Sequence, residues 1–542
     1  MSVHDSDHPD ARSRKVGKKQ IQIATEYLWS SLSNGFLSVF GVIVVRDRAR
    51  ELRLSELSVS IGGMHYALRT IPSAGITLGG GRIRWALYRL RVHVYDLESL
   101  PPQTVARLVY AGSSGRWFDR PFGYAQLSHL RFARRGRLFS VHDGQSRAFV
   151  RQAKGNNLCL TVRARNYTDS VASRLKVLAA SVASLLFRPN TVLLYEKESM
   201  RYEESGAAVF EALVDSGHRN VHFVLDSASI DKVPERYRSR VVKRFSFEHY
   251  YRFFCARTFI GTELVSHAIE LRTIDRLLLY RLRRGRFVFV FLQHGVMYMV
   301  ALDSTQRSFF RAGSDFPRQA RIVCSSELEA KHFIELGGFR AEDIYTCGLP
   351  KLDRARRQPD ADKILIMPTW RPWEQNLIRT NPTASDYYAM LLEIYESIPD
   401  SLRHKATILP HPLLRDSLGS TPLGSSLWES ESYDSALSQG AMLITDYSSI
   451  AYDAFYRGAN VAFWWKDKDA CMRHYGGHLM LDEHNACGPV CYDSAALRLA
   501  VESIYLKPQD PEFVRRYEQI VQYHDGHNTD RLLLLLERDR LV

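Results

Sequence analysis

The sequence predicts an α/β protein: two parallel-sheet domains facing across a cleft, preceded by a β-rich module. Three observations carry this. From residue 191 onward, apolar β-branched runs alternate with helix-length segments, the pattern of strands covered on both faces by crossover helices. A charged, proline-containing break, RARRQPDADK (354–363), cuts that region into two halves of domain size. Residues 36–166 read differently, as short alternating runs broken by Gly, Pro and Ser.

Taken in order, residues 1–35 are a basic polar tail and lead-in, without the apolar stretch of a secretory signal. Residues 36–170 form a β-rich, sandwich-like accessory domain, with strands expected in FLSVFGVIVV, LRLSELSVSIGG, WALYRLRVHVYDL, RLFSVHDG and LCLTVRA. The segment VASRLKVLAASVASLLF carries Arg174 and Lys176 and is too short and charged to span a bilayer; 171–188 is a connecting or interfacial helix. Domain 189–355 holds the strands TVLLYE, VHFVLD, FVFVFLQHG and RIVCSS. Domain 356–542 holds KILIMPTW, TILPHP, AMLITD and NVAFWW. No G-x-G-x-x-G opens either of these Rossmann-like halves, so a dinucleotide fingerprint is absent.

The 542 residues are too many for one core, and 45% hydrophobic with 24% charged residues is a globular composition. With 73 Lys and Arg against 59 Asp and Glu, the net charge of +14 favours polyanionic partners. The basic clusters SRKVGKK, RFARRGR, RLLLYRLRRGR and LDRARR lack interleaved aromatic residues and no nucleic-acid motif accompanies them, which argues against nucleic acid and for an anionic membrane surface or product. Seven scattered cysteines form no disulfide framework and fit a reducing compartment.

Ligands of open α/β sheets sit at the carboxyl ends of the strands. Those ends offer His294-Gly295, Ser326, Thr369 with Arg371, His411-Pro412, and the loop Thr445, Asp446, Tyr447, Ser448, Ser449 before the helix pattern IAYDAF. A strand-end guanidinium such as Arg371 suits a phosphate fork. Hydroxyls at a helix start, Ser448 and Ser449, cap free N–H groups or share them with a phosphate. Gly295 lets the backbone approach a ligand closely. Pro412 restricts the turn that carries His411.

In this order, FLQHGVMYMVALD, CSSELEAKHF, YTCGLPKLD, MPTWRP, LPHPLLR, LITDYSSIAYDAF and YHDGHNTDRLLLLL resemble the CDP-glycerol glycerophosphotransferase family, the teichoic acid polymerases and primases of GT-B fold. The resemblance covers about 190–535. It implies a GT-B pair with the acceptor side in the first domain and the CDP-donor side in the second. It also implies transfer of glycerol or ribitol phosphate from a CDP-polyol to a lipid-linked or polymeric acceptor, with release of CMP, at the inner face of the cell membrane. His294 matches the family's general base. His411 and Arg371 would contact the pyrophosphate, with Ser448 and Ser449 on phosphate oxygens and Thr369, Thr445 and Asp446 shaping the loop. No certain cofactor is implied, metal dependence stays open, and an oligomer is compatible with the sequence. Where the family continues His-Gly with Thr-Pro-Leu-Lys, this chain has Val296, Met297, Tyr298, Met299, so a cation and a hydroxyl are missing there.

Cys471, His474, His478, His484, Cys487 and Cys491 are zinc-ligand types, but their spacing matches no standard site. Two other functions remain open on the sequence: a nucleotide-sugar glycosyltransferase on the same fold, and a non-catalytic polyanion- or membrane-binding protein.

Overall fold

The computed structural model describes residues 21–47, 52–78, 81–98, 100, 104–111, 117–123, 139–152, 157–314, 316–411, 414–429 and 432–542; the expected tail at 1–20 and Pro412 lie outside them. The chain divides into two compact units, residues 1–166 and 167–542.

Among the described residues of the first unit, ten strands form one antiparallel sheet. They are β1 (Ile21–Ser33), β2 (Phe36–Asp47), β3 (Leu57–Ile61), β4 (Met64–Leu78), β5 (Gly81–His93), β6 (Val105–Ala111), β7 (Trp117–Pro121), β8 (Phe139–His142), β9 (Ser146–Gln152) and β10 (Leu158–Ala164). The path runs β1-β2-β5-β4-β3-β6-β10-β9-β8, with β7 paired to β6. Strand β1 also lies against β8 and β9, so the two ends of the path approach each other. The sheet therefore curls around one core, which includes Tyr27, Val39, Ile43, Val59, Leu90, Leu108, Val150 and Leu160, where two stacked sheets were expected. Long strands twist strongly, and the bulges at Tyr27/Trp29 and Pro72/Gly75 add bend. The expected lead-in is itself a strand: Ile23, Thr25 and Tyr27 alternate with more exposed neighbours, and Thr25 and Tyr27 are buried.

The second unit opens with the helix Val171–Leu186, capped by Ser170, whose hydroxyl accepts from the Ser173 N–H at 3.1 Å. Seven parallel strands follow: β11 (Thr191–Tyr195), β12 (Val221–Leu225), β13 (Val241–Lys243), β14 (Ala256–Gly261), β15 (Val288–Phe291), β16 (Ala320–Cys324) and β17 (Ile344–Thr346). Their order is β13-β12-β11-β14-β15-β16-β17. A second parallel sheet contains β18 (Lys363–Ile366), β19 (Ala406–Ile408), β20 (Gly440–Thr445), β21 (Asn460–Trp464) and β22 (Val490–Cys491), ordered β19-β18-β20-β21-β22. Strands β11, β12, β20 and β21 are buried along their whole length, as doubly covered sheets require. In each sheet the order reverses once, between β11 and β14 and between β18 and β20. Connections leave such a point in opposite directions and open a crevice at the carboxyl ends.

The two halves of this unit are joined by backbone. Val300 bridges Leu479, the Ala301 N–H donates to the His478 carbonyl at 3.0 Å, and the Met480 N–H to the Met299 carbonyl at 2.9 Å. The Val296–Leu302 segment is buried throughout and forms this seam. The final helix, Asn528–Arg538, returns to the first half. Asp353 accepts from the N–H groups of Asn528 (3.0 Å) and Thr529 (2.7 Å), capping its start, and Thr258 donates to the Leu541 carbonyl at 2.6 Å.

Gly348 permits that docking: its φ is +83°, and a Cβ there would lie 2.0 Å from Asn528 Oδ1. Gly348→Ala is expected to lower stability by about 2 kcal/mol or more, from backbone strain plus the clash. Gly419→Ala, with nothing within 4 Å of the added methyl, should stay within about 0.5 kcal/mol. Denaturant midpoints of the two variants check this.

Candidate active site

His294 is presented by a clamped turn after β15. Gln293 adopts φ +58°, a region that L side chains rarely occupy, and is fully buried. Its amide donates to the Val323 carbonyl at 2.5 Å and accepts from the Met297 N–H at 3.1 Å. The buried Glu329 carboxyl accepts the same N–H at 2.6 Å and the Ser325 N–H at 2.6 Å. A strained residue held from both sides fixes where the next side chain points.

The imidazole sits beside the order reversal of the first sheet. His294 Nδ1 lies 3.5 Å from Oε1 of Glu263, which follows β14. Desolvation by the surrounding walls, then the charges of Lys197, Lys351 and Arg307, push the His294 pKa down to about 3. Its side chain is still 42% exposed, so water tempers the shift, and the ring is neutral at neutral pH. Burial pushes the Glu263 carboxyl up to about 8, against the pull of Lys197. Both members of the pair are thus biased toward their uncharged forms.

The Lys351 ammonium donates to the His294 carbonyl and to Asp453 Oδ2, each at 2.8 Å. Asp453 belongs to the helix Ile450–Tyr456 of the second half, so this lysine spans the seam. A Cβ on Gly295 would lie 3.0 Å from Ser449 Oγ and 3.8 Å from Lys351 Nζ. The turn carrying His294 therefore abuts the Ser448–Ser449 loop. Both serines are partly exposed, and the Ser449 hydroxyl forms no cap bond on the helix it precedes.

Behind that loop, Asp446 is a fully buried hub. Its Oδ1 accepts from the Thr369 N–H at 2.7 Å and the Thr369 hydroxyl at 2.8 Å, and its Oδ2 lies 2.8 Å from the Arg371 guanidinium. Arg371 is 3% exposed. Its Nε–H and Nη2 donate to Asp467, Nη2 also to Met390 Sδ, and Nη1 to the Thr369 carbonyl beside Asp446. Despite burial, Asp446 and Asp467 keep the guanidinium firmly charged.

His411 stacks on Trp370 with ring centroids 4.6 Å apart. Burial and the Lys197 charge push its pKa down to about 4. The charge of the exposed Lys197 acts on both His294 and His411. That lysine sits in a strained connection: Glu198 and Ser199, which follow it, have φ of 53° and 54°. The buried Glu196 carboxylate before it accepts three N–H groups, from Glu203, Glu204 and Ala207, at 2.8–3.0 Å.

The model of CDP-glycerol:poly(glycerophosphate) glycerophosphotransferases matches residues 177–538. The chain belongs to this glycerophosphotransferase family. The minor teichoic acid biosynthesis protein GgaB of Bacillus subtilis (strain 168) is 23% identical over 282 residues, 47% of this chain and 29% of that protein. The chain thus spans under a third of that curated relative. Among solved structures, the wall teichoic acid polymerase TagF aligns at 16% identity and TM-score 0.48, covering 68% of this chain and 98% of that one. A calicheamicin glycosyltransferase aligns at 14% identity and TM-score 0.35, covering 65% and 100%.

In this member of the glycerophosphotransferase family, the structure brings His294, Gly295, Ser448 and Ser449 to one junction, while His411 stacks on Trp370 and shares with His294 the influence of the Lys197 charge. Other expected ligands are occupied elsewhere. Ser326 caps the helix Glu327–Glu335 by accepting from the Glu329 N–H at 3.1 Å and is 1% exposed. Thr445 is fully buried and donates to the Met367 carbonyl at 2.6 Å. Thr369 is bound to Asp446. Arg371, expected as a phosphate fork, has its N–H donors committed to Asp467, the Thr369 carbonyl and Met390, and is itself buried with Asp446 Oδ2 at 2.8 Å. His474 stacks on Trp373 at 4.1 Å, and Cys471, Cys487 and Cys491 are buried in the cores. Among the described residues no group of three His, Cys, Asp or Glu is arranged to hold a metal ion.

Sequence reasoning missed Glu263, Lys197, Lys351 and Asp453. Lys351 and Asp453 lie inside the quoted motifs GLPKLD and IAYDAF. Glu263 follows ARTFIG, whose Arg and Thr mask it as a strand.

Arg371→Gln is expected to cost about 3–5 kcal/mol, because it strands two carboxylates, one of them fully buried. The midpoint of unfolding should fall whether or not CDP is present. A residue whose main work is holding phosphate would instead lose CDP affinity at an unchanged midpoint.

Proposed function

We propose that the chain transfers a polyol phosphate, glycerol or ribitol phosphate, from a CDP-activated donor to a hydroxyl of a lipid-linked or polymeric acceptor in synthesis of a teichoic-acid-like or capsular polymer. The observation that carries this reading is the meeting of a neutral His294 with the Ser448–Ser449 loop where the two parallel sheets face each other. The two sheets act as a GT-B-like pair of Rossmann-type domains, acceptor side first and donor side second.

His294 takes the proton of the acceptor hydroxyl as its oxygen attacks the β-phosphorus; the bond from that phosphorus to the bridging oxygen breaks and CMP leaves. A neutral ring is the competent form of a base. As the ring gains the proton, the imidazolium lies 3.5 Å from the Glu263 carboxyl and favours that carboxyl's own ionisation, its proton passing to solvent. Lys197, whose ammonium makes no hydrogen bond or ion pair among the described residues, and the hydroxyls of Ser448 and Ser449 neutralise the phosphate oxygens, together with His411. Such positioning and charge neutralisation supply most of phosphoryl-transfer catalysis. Asp446, Arg371 and Thr369 hold the loop in place rather than touching substrate. Lys351 and Lys197 supply the cations that the sequence after Gly295 lacks.

The enzyme works against an anionic membrane face. On the helix Val171–Leu186, Val171, Leu175, Leu178, Val182 and Leu185 recur at spacings of four and three and are 50–81% exposed, with Arg174, Lys176 and Arg188 nearby. An apolar stripe with basic neighbours suits an interfacial helix. Among the described residues no helix is long and apolar enough to cross a membrane.

CMP release from CDP-glycerol and CDP-ribitol, with membranes as acceptor, tests the reading. One donor should support acceptor-dependent release, and His294→Ala should reduce it by roughly 10²–10⁴-fold. Release from a UDP-sugar instead would move the chain to the glycosyltransferases.

The pH profile has a definite sign. A lowered imidazole pKa keeps the base form on acidification, so the acidic limb of kcat/KM should lie below the ordinary histidine value of about 6.5. An acidic limb at or above that value would contradict the environment described for His294.

A further inference from the structure

The family match leaves residues 1–176 unassigned, and the outer face of the first unit's sheet has its own chemistry. Along β5, Ala86, Tyr88, Leu90 and Val92 point into the core, while Trp85, Leu87, Arg89 and Arg91 point out. Strand pairing puts Arg69 directly opposite Arg89, Arg89 opposite Phe40, and Phe40 opposite Trp29, one outward row across β4, β5, β2 and β1. Arg91 stands two residues further along the same face. Like charges directly across a sheet repel. None of these three arginines has a carboxylate partner among the described residues: Arg89 donates to Ser38 Oγ at 3.3 Å and lies over Phe40, and Arg91 lies 3.8 Å over Phe36. The strands β1, β2, β4 and β5 carry Arg46, Arg69, Arg82, Arg84, Arg89 and Arg91 against Glu26 and Asp47 alone. Arg69, Arg89 and Arg91, with Phe36 and Ala67, line a hollow of about 240 Å³.

We propose that this hollow is a second binding site, for the phosphodiester groups of the polyol-phosphate chain that the enzyme extends; it rests on the transferase reading above. Uncompensated guanidinium groups, preset by aromatic rings on a rigid sheet, form a fork for phosphate oxygens. The neighbouring Phe40–Trp29 stack (4.9 Å, 10°) offers an apolar face to the carbon chain between phosphates. A flat bilayer suits a hollow less well than a flexible chain does. Arg91 lies over one face of the Phe36 ring, which leaves less of it for a nucleic-acid base to stack on.

Equilibrium binding of a synthetic glycerol-phosphate oligomer to the full chain tests the site, comparing wild type with the double variant Arg69→Gln, Arg91→Gln. The double variant Arg53→Gln, Arg165→Gln, two exposed arginines elsewhere in the unit, removes the same charge and controls for it. The Arg69, Arg91 double variant should lose about tenfold or more in affinity. It should raise KM for a polymeric acceptor and leave KM for the CDP donor unchanged, while the control moves neither. Equal affinity in wild type and double variant would overturn the site. So would binding, lost in the double variant, to phosphatidylglycerol vesicles or single-stranded RNA with none to the oligomer. If wild type releases no CMP yet the oligomer binds and the double variant weakens it, the site stands and the transferase reading falls. CMP release with oligomer binding insensitive to the double variant means the reverse.

Discussion

One ammonium holds the candidate site together. Lys351 reaches out of the turn after Gly348 and bonds at 2.8 Å to the carbonyl of His294 in the first half and to Asp453 in the second. A hydrogen bond to a carboxylate that is mostly withdrawn from water is stronger than an exposed pair, and here it sets the distance between the two halves at the point of chemistry. Everything upstream serves that contact. Gly348 lets the turn lie on Asn528, and Asp353 ties the same turn to the start of the last helix. Everything downstream inherits it: the position of Gly295 against Ser449 and the positive field that helps keep His294 neutral.

The two sides of the site use charge in opposite ways. Around His294, burial and nearby cations push the imidazole toward neutrality, and burial pushes the Glu263 carboxyl the same way against the pull of Lys197, which leaves a neutral base ready. Around Asp446, the Arg371 guanidinium stays charged despite burial because Asp446 and Asp467 flank it. The first arrangement can do proton transfer; the second is a brace. Residues of one type read alike in sequence and separate only when their partners are known.

That separation explains what was legible beforehand. The alternating runs after residue 191 reported the doubly covered strands, because burial on both faces forces apolar character on every residue of a strand. Strand ends marked His294, Ser448 and Ser449, because ligand sites and order reversals coincide in such sheets. Arg371, Thr445 and Ser326 looked equally exposed to chemistry in one dimension, yet their partners Asp467, Met367 and Glu329 lie 96, 78 and 3 residues away, and only the last is readable as a capping box neighbour. Glu263 was hidden by a strand, ARTFIG, whose polar positions break the apolar run. In the first unit alternation reported strands correctly, but the curl of one sheet depends on twist and bulges that hydrophobic pattern does not encode.

The most direct measurement is a crystal structure of the full chain with a CDP-polyol bound. The account predicts the pyrophosphate between Lys197 and the Ser448–Ser449 loop, with His294 open toward the β-phosphorus and Arg371 still paired with Asp446 and Asp467. A pyrophosphate held by Arg371 after it has left those carboxylates, or one bound away from the His294–Ser449 junction, would contradict it.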